Sequence, residues 1–121
     1  MGGTSVLVVD DEPSIRLLCR VNLELEGHRV LEAASLDEAR AGLAEQPALV
    51  LLDVHVGGQD GLELLTEIRA EHGDVKVVLL TGSTELAEVH RDLADGILPK
   101  PFTLEQLAAT VNRLASDRFR A

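Results

Sequence analysis

An α/β domain with a doubly wound, five-stranded parallel sheet is the fold class this sequence predicts. Three observations carry it. Short apolar runs alternate five times with segments of helical periodicity, the rhythm that builds a parallel sheet with helices on both sides. Two of the runs, Val6–Val9 and Ala48–Leu52, are apolar without alternation, as strands buried on both faces must be. The length, 121 residues, suffices for one well-covered core, so the chain reads as a single domain, 1–121, with its core at about 5–115.

The first strand is Ser5–Val9, and the helix after it runs from Pro13 to Glu26. Proline suits a first helical position, where its missing N–H would have had no partner anyway. The polar side of this helix is narrow, Arg16, Arg20 and Glu24. Ile15, Leu17, Leu18, Cys19, Val21, Leu23 and Leu25 span an arc wider than one sheet can cover, so part of it is expected to stay exposed. The second strand is Arg29–Ala33. The second helix, Leu36–Gln46, opens on the capping box Ser35–Glu38. The third strand, Ala48–Leu52, leads to a helix at Gly61–Glu71 with the analogous pair Asp60–Glu63. The fourth strand is Val75–Leu80, and the helix expected after it, Thr84–Ala94, has the poorest pattern, with only Leu86, Val89 and Leu93 in phase. A short fifth strand, Gly96–Leu98, precedes a helix at Leu104–Ala115. That last helix has a capping box, Thr103–Gln106, and a stripe of Leu104, Leu107, Ala108, Val111 and Leu114 to set against the sheet.

Composition narrows the function. Only Phe102 and Phe119 are aromatic, so the core is aliphatic. A net charge of −10, from 21 acidic against 11 basic residues, excludes the basic face that nucleic acid or an anionic membrane would need. No apolar run approaches the roughly 18 residues of a membrane span. The single cysteine, Cys19, permits no internal disulfide and suits a reducing, cytoplasmic setting; its place on the apolar helical face predicts burial. His28, His72 and His90 sit in turn-like or polar settings and form no metal-ligand pattern.

The chemistry gathers at the carboxyl ends of the strands, where parallel sheets bind ligands. Strand one runs into Asp10 and Asp11, and strand three into Asp53. Two carboxylates about 4 Å apart repel by roughly 4 kcal/mol at an effective dielectric near 20. A whole domain is stable by only about 5–15 kcal/mol, so three of them would not gather uncompensated. Partial protonation or solvation would relieve part of this; a divalent cation would relieve more, and an all-oxygen site with few protein ligands suits Mg²⁺. Asp11 also has a purely structural reading, as the cap of the helix that starts at Pro13. Strand four ends in LLTGS, which brings the Thr81 hydroxyl to the same rim, and strand five runs into ILPKPF, which holds Lys100 between two prolines. A carboxylate nucleophile, a metal, a hydroxyl and an ammonium are what a phosphoryl group needs.

The stretches VLVVDDEP, LVLLDVHVGGQDGLELL, VVLLTGS and ILPKPF resemble the receiver domain of two-component response regulators over about residues 5–115. The resemblance implies the flavodoxin-like strand order 2-1-3-4-5, with the winding reversing between strands one and three. It implies that Asp53 accepts a phosphoryl group from a phosphohistidine of a sensor histidine kinase or phosphotransfer protein. Asp10, Asp11, Asp53 and the backbone carbonyl of His55 would hold Mg²⁺; Thr81 and Lys100 would bind the phosphoryl oxygens. Ile97 and Ser83 would modulate the response. It further implies a cis Lys100–Pro101 bond, an output protein or domain read through the strand 4–helix 4–strand 5 face, and a dimer formed on phosphorylation. Neither nucleic acid nor membrane is an expected direct partner, and turnover of an external substrate is not expected.

Three positions depart from the family pattern. Val56-Gly57-Gly58 replaces the usual Met-Pro, which predicts a freer loop. Ile97 stands where an aromatic is common, and His55 occupies a position that in the family tunes dephosphorylation. The alternatives are a receiver-like interaction module that is not phosphorylated and an Mg²⁺-dependent aspartyl phosphohydrolase. The hydrolase reading is opposed by Asp53-x-His55, which lacks the second acid of Asp-x-Asp. A flavodoxin-type cofactor binder is opposed by Asp-Asp-Glu after strand one, where a phosphate loop would need glycines or hydroxyls.

Overall fold

A computed structural model describes residues 4–82 and 91–118 of the chain. The elements are β1 (Ser5–Val9), α1 (Pro13–Leu25), β2 (Arg29–Ala33), α2 (Leu36–Leu43), β3 (Leu49–Asp53), β4 (His55–Val56), β5 (Gln59–Asp60), α3 (Gly61–Glu71), β6 (Lys76–Thr81), β7 (Gly96–Pro99) and α4 (Leu104–Arg118), with a 3-10 turn at Arg91–Leu93. Most of the predicted fourth helix, and Ser83 with it, lies outside the described residues. Where it was expected to finish, Arg91–Leu93 forms the 3-10 turn instead.

The main sheet is parallel, with order β2-β1-β3-β6-β7. This is the predicted 2-1-3-4-5 order, renumbered because β4 and β5 pair only with each other. Successive strand residues point to opposite faces, and here both faces are dry. Leu7, Val9, Val50, Leu52, Val77 and Leu79 pack with Leu36, Leu43, Leu65 and Ile68 of α2 and α3. Val6, Val8, Leu49, Leu51, Val78 and Leu80 pack with Cys19, Leu23, Leu107, Val111 and Leu114 of α1 and α4. The unbroken apolar runs are the consequence of that double covering.

Ser35 accepts the Glu38 N–H at 3.1 Å, while the Glu38 carboxylate reaches one residue further back than a capping box requires, to the Ala34 N–H. Thr103 and Gln106 make the full reciprocal box, and Asp60 caps α3 through the Leu62 N–H. Helix α2 ends three residues earlier than predicted, because the chain turns through Gln46 in a left-handed conformation (φ 56°) ahead of Pro47. On α4, Leu107, Val111 and Leu114 are buried as predicted, but Leu104, in the first turn, is exposed.

The predicted freer loop after β3 is instead a hairpin. Gly57 and Gly58 have φ of 56° and 80°, the pair of positive values that a two-residue type I′ turn demands. His55 pairs with Asp60 and Val56 with Gln59. His28, in the turn before β2, is buried; its Nδ1 accepts the Thr4 N–H, and its Nε2–H donates to Asn112 Oδ1 at 2.8 Å. It ties the start of β1 to α4. On α1, Arg16 and Arg20 both grip Glu32 of the edge strand β2, whereas Leu17, Val21 and Leu25 remain 52%, 45% and 79% exposed. No helix among the described residues is long and apolar enough to cross a membrane.

Candidate functional site

Register creates the site. The pairing of β1 with β3 runs from Val6–Leu49 to Val9–Leu52, so one step further sets Asp10 beside Asp53 on neighbouring strands. Both fall on the sheet face covered by α1 and α4, by the alternation that aims Val8 and Leu51 there. Asp11 follows as an exposed residue. One oxygen from each of Asp10, Asp11 and Asp53 lies within 4.8 Å of the others. Two ligands of one Mg²⁺, at about 2.1 Å each, stand at most about 4.2 Å apart, so this all-oxygen set suits such an ion after a small inward adjustment.

Asp10 is fully buried and fully bonded. Its N–H donates to the Ala33 carbonyl (3.0 Å) and its carbonyl accepts from Arg16 (2.8 Å). Its carboxylate accepts the Glu12 N–H (2.9 Å) and the Lys100 ammonium (2.8 Å). The capping reading of Asp11 is overturned: the residue at the cap is Glu12, without a side-chain cap bond, and it is Asp10 that takes the Glu12 N–H.

Asp53 accepts the His55 N–H at 3.2 Å and the Lys100 ammonium at 3.3 Å. Burial pushes its carboxyl above the usual range, and the charge of Asp10 adds to that; the His55 N–H and Lys100 pull back only in part. Lys100 reaches the pocket from the loop after β7, through a cis Lys100–Pro101 bond, as expected. Burial opposes its charge, but the hydrogen bond to Asp10 and the charges of Asp10 and Asp53 outweigh that, so its pKa is raised. Glu12 lies 3.7 Å from the same ammonium.

Thr81 ends β6, buried, and its carbonyl accepts the Lys100 N–H at 2.8 Å. Ile97, on β7, is half-buried and packs against the core under α2 and α3. The His55 side chain is exposed beside the pocket. Asp10, Asp11, Asp53 and Lys100 therefore converge, with Thr81 joined to Lys100 through the backbone. Cys19 lies nearby but is inert: burial above all pushes its thiol up to about 12.

Sequence reasoning missed Arg16, Glu12 and Gly61. Arg16 read as the solvent side of a helix, and only the packing of α1 over β1 and β2 turns it onto the Asp10 carbonyl. Gly61, the first residue of α3, lies against the Asp53 backbone. The adjoining Asp60-Gly61 pair was the available signal, since glycine, with no Cβ, lets another stretch of backbone approach closely.

Residues 6–112 match the family profile of the response regulator receiver domain. Over 119 residues the chain is 39% identical to the sensor kinase CckA of Brucella abortus, covering 93% of this chain and 13% of that one. It is 30% identical to sporulation initiation phosphotransferase F of Bacillus subtilis, covering 93% and 94%. The crystal structure of the receiver domain of NtrX from Brucella abortus superposes with a TM-score of 0.86 at 36% identity, covering 92% of this chain and 98% of that one. Against several transcriptional regulators that it also matches, the chain spans only about a quarter to a half of their length. Profile, relatives and fold agree: this chain belongs to the receiver domain family of two-component response regulators.

Proposed function

We propose that the chain is a phosphorylation-controlled switch whose acceptor is Asp53. The observation that carries this reading is the Asp53 carboxylate, held between the His55 N–H and the Lys100 ammonium beside two further aspartates. An Asp53 oxygen attacks the phosphorus of a phosphohistidine on a partner kinase or phosphotransfer protein. The P–N bond breaks, an acyl phosphate forms, and the imidazole leaves with the bonding pair. Lys100 then turns from carboxylate to phosphoryl oxygen, and the Thr81 hydroxyl donates to another. Asp10, Asp11, Asp53 and the His55 carbonyl would hold Mg²⁺, which when bound offsets negative charge on the transferring group. The relatives named as a sensor kinase and a phosphotransferase support a place in phosphoryl transfer between proteins.

The phosphoryl contacts bias the face that includes β6 and β7, and an output partner, or a second copy of the chain, reads the change. Ile97 and Ser83 tune it. The domain turns over no external substrate, and its single buried thiol accords with a cytoplasmic location. Incubation with a small phosphodonor and Mg²⁺ should add one phosphoryl mass to the intact protein, on Asp53. No mass gain, with the fold intact, would leave the unphosphorylated interaction module as the better reading.

The kinase should dock on α1. Leu17, Val21 and Leu25 recur every four residues, and so form one exposed apolar stripe that starts near the pocket end of α1. Leu17→Glu is expected to weaken transfer from the cognate kinase roughly thirtyfold, the equivalent of about 2 kcal/mol at an interface hot spot. Labelling by the small donor should survive. Equal kinase rates for the two proteins would remove α1 from the docking surface.

A further inference from the structure

We infer that Arg16 is a positioning residue for the acid pair Asp10–Asp11, and through it sets the affinity of the pocket for a divalent cation; this rests on the function proposed above. The guanidinium uses two donors at once. Nη1 donates to the Asp10 backbone carbonyl at 2.8 Å, and Nε donates to Glu32 at 3.2 Å. The other oxygen of Glu32 accepts from Arg20 at 2.6 Å, so each arginine has its own Glu32 oxygen and only Arg16 goes on to Asp10. Arg16 is also the less exposed of the two, 17% against 45%.

The Asp10 carbonyl occupies a decisive place. It belongs to the peptide plane that joins Asp10 to Asp11, and that plane is rigid. Asp10 is fixed at its other polar atoms by Ala33, Glu12 and Lys100. Asp11 is exposed and begins the turn into α1. With the Asp10 carbonyl held, the plane keeps its tilt and Asp11 leaves in one direction, toward Asp10 and Asp53. Without the bond, the plane can rock and the third carboxylate no longer converges.

Charge alone makes the opposite demand. Arg16 is a cation near a cluster of anions, so its removal should help another cation bind. Positioning and electrostatics thus predict opposite signs. The test is calorimetric titration of the unphosphorylated protein with Mg²⁺, well below the melting temperature, for wild type, Arg16→Met, Arg16→Lys and Arg20→Met. Removing a group that orients a metal ligand costs tenfold or more in affinity, so Arg16→Met should bind Mg²⁺ about tenfold more weakly. Arg16→Lys keeps the charge but cannot span both partners, and should fall by severalfold. Arg20→Met deletes the same charge from the same helix without touching Asp10, and should stay within about twofold of wild type.

Unchanged or tighter binding by Arg16→Met overturns the inference. So does an equal loss in Arg20→Met, which would mark a general effect of loosening α1. If Arg16→Met does not fold, wild-type affinity in Arg16→Lys overturns it instead. A wild type that binds no Mg²⁺ sinks the metal site of the proposed function, and this inference with it. Normal wild-type binding with an indifferent Arg16 sinks this inference alone.

Discussion

Asp53→Asn is expected to lose all labelling by phosphodonor and, in the same protein, to raise the melting temperature. The first effect follows from chemistry, since an amide oxygen does not form the acyl phosphate and the neighbouring carboxylates are otherwise engaged. Asp10 is fully buried with both oxygens bonded, and among the described residues the Lys100 ammonium pairs with Asp10, Glu12 and Asp53 rather than with Asp11. The second follows from the direction in which the Asp53 carboxyl is shifted. Burial, with the charge of Asp10, raises its folded pKa above the unfolded value. A raised acid contributes stability below its unfolded pKa and loses it as pH rises through the folded pKa. At neutral pH, without Mg²⁺, the ionised form therefore costs stability that the amide does not. The isosteric amide keeps a donor or acceptor toward His55 or Lys100 and adds nothing to the repulsion. Melts in chelator should show the Asn variant a few degrees above wild type near pH 7, with the gap narrowing as the pH falls through the folded pKa and closed below about pH 3, where the carboxyl is neutral in both states. A variant that melts lower at pH 7 would refute the electrostatic account, and one that labels fully would refute the acceptor assignment. Function and stability pull apart at this residue, as they do where like charges are gathered for chemistry.

How much of this could be read in the sequence depends on how local the cause is. Unbroken apolar runs report burial on two faces, and the strands came out within a residue or two of Ser5–Val9, Leu49–Asp53 and Lys76–Thr81. The convergence of Asp10, Asp53 and Lys100 was legible because strand ends in a parallel sheet share one rim. The failures are of another kind. Gly57-Gly58 was read as freedom, but two adjacent positive-φ positions between residues that can pair make a tight turn, and the glycines order the hairpin rather than loosen it. His28 sits in a turn, as read, but its burial was not legible, because its partner Asn112 is 84 positions away. Leu104 kept the helical period, yet the first turn of α4 overhangs the core it was expected to enter. Arg16 is the instructive case, because charge and period both marked it as solvent-facing. Only the edge position of β2, which brings Glu32 within reach, turns its guanidinium inward. Periodicity says which side of a helix is polar, and says nothing about what that side meets.

Gly61→Ala should be the most damaging single methyl that can be added near the site. Gly61 opens α3, where alanine would ordinarily stabilise a helix by up to about 1 kcal/mol over glycine. Its φ is not in the left-handed region, so nothing in the local backbone objects to a side chain. The objection is spatial. The β4–β5 hairpin folds the chain back on the end of β3, and the Gly61 N–H donates to the Val54 carbonyl at 2.7 Å. A methyl at this position would fall on the Asp53 carbonyl oxygen, with the Val54 carbonyl oxygen only 3.1 Å away. Both obstacles are backbone, one in the last residue of β3 and one in the residue after it, so no rotamer change makes room. Either α3 backs away or the end of β3 moves. Overpacking of this sort costs about 1–3 kcal/mol, occasionally more, which exceeds the helical gain. A net loss on the order of 2 kcal/mol is expected in denaturant melts. The functional loss should be larger than the loss of stability, because the atoms displaced belong to Asp53, the proposed acceptor. A shift of about 1 Å at a reacting group is worth on the order of a hundredfold in rate, and labelling of the folded variant by phosphodonor should slow by about that much. The measurement separates two explanations for a glycine here. If the variant is destabilised yet labels at the wild-type rate, α3 has moved and Asp53 has not, and Gly61 serves packing alone. If labelling collapses in protein that is still folded, the close approach of α3 to the Asp53 backbone is what holds the carboxylate in place, and a residue with no side chain is part of how the site is built.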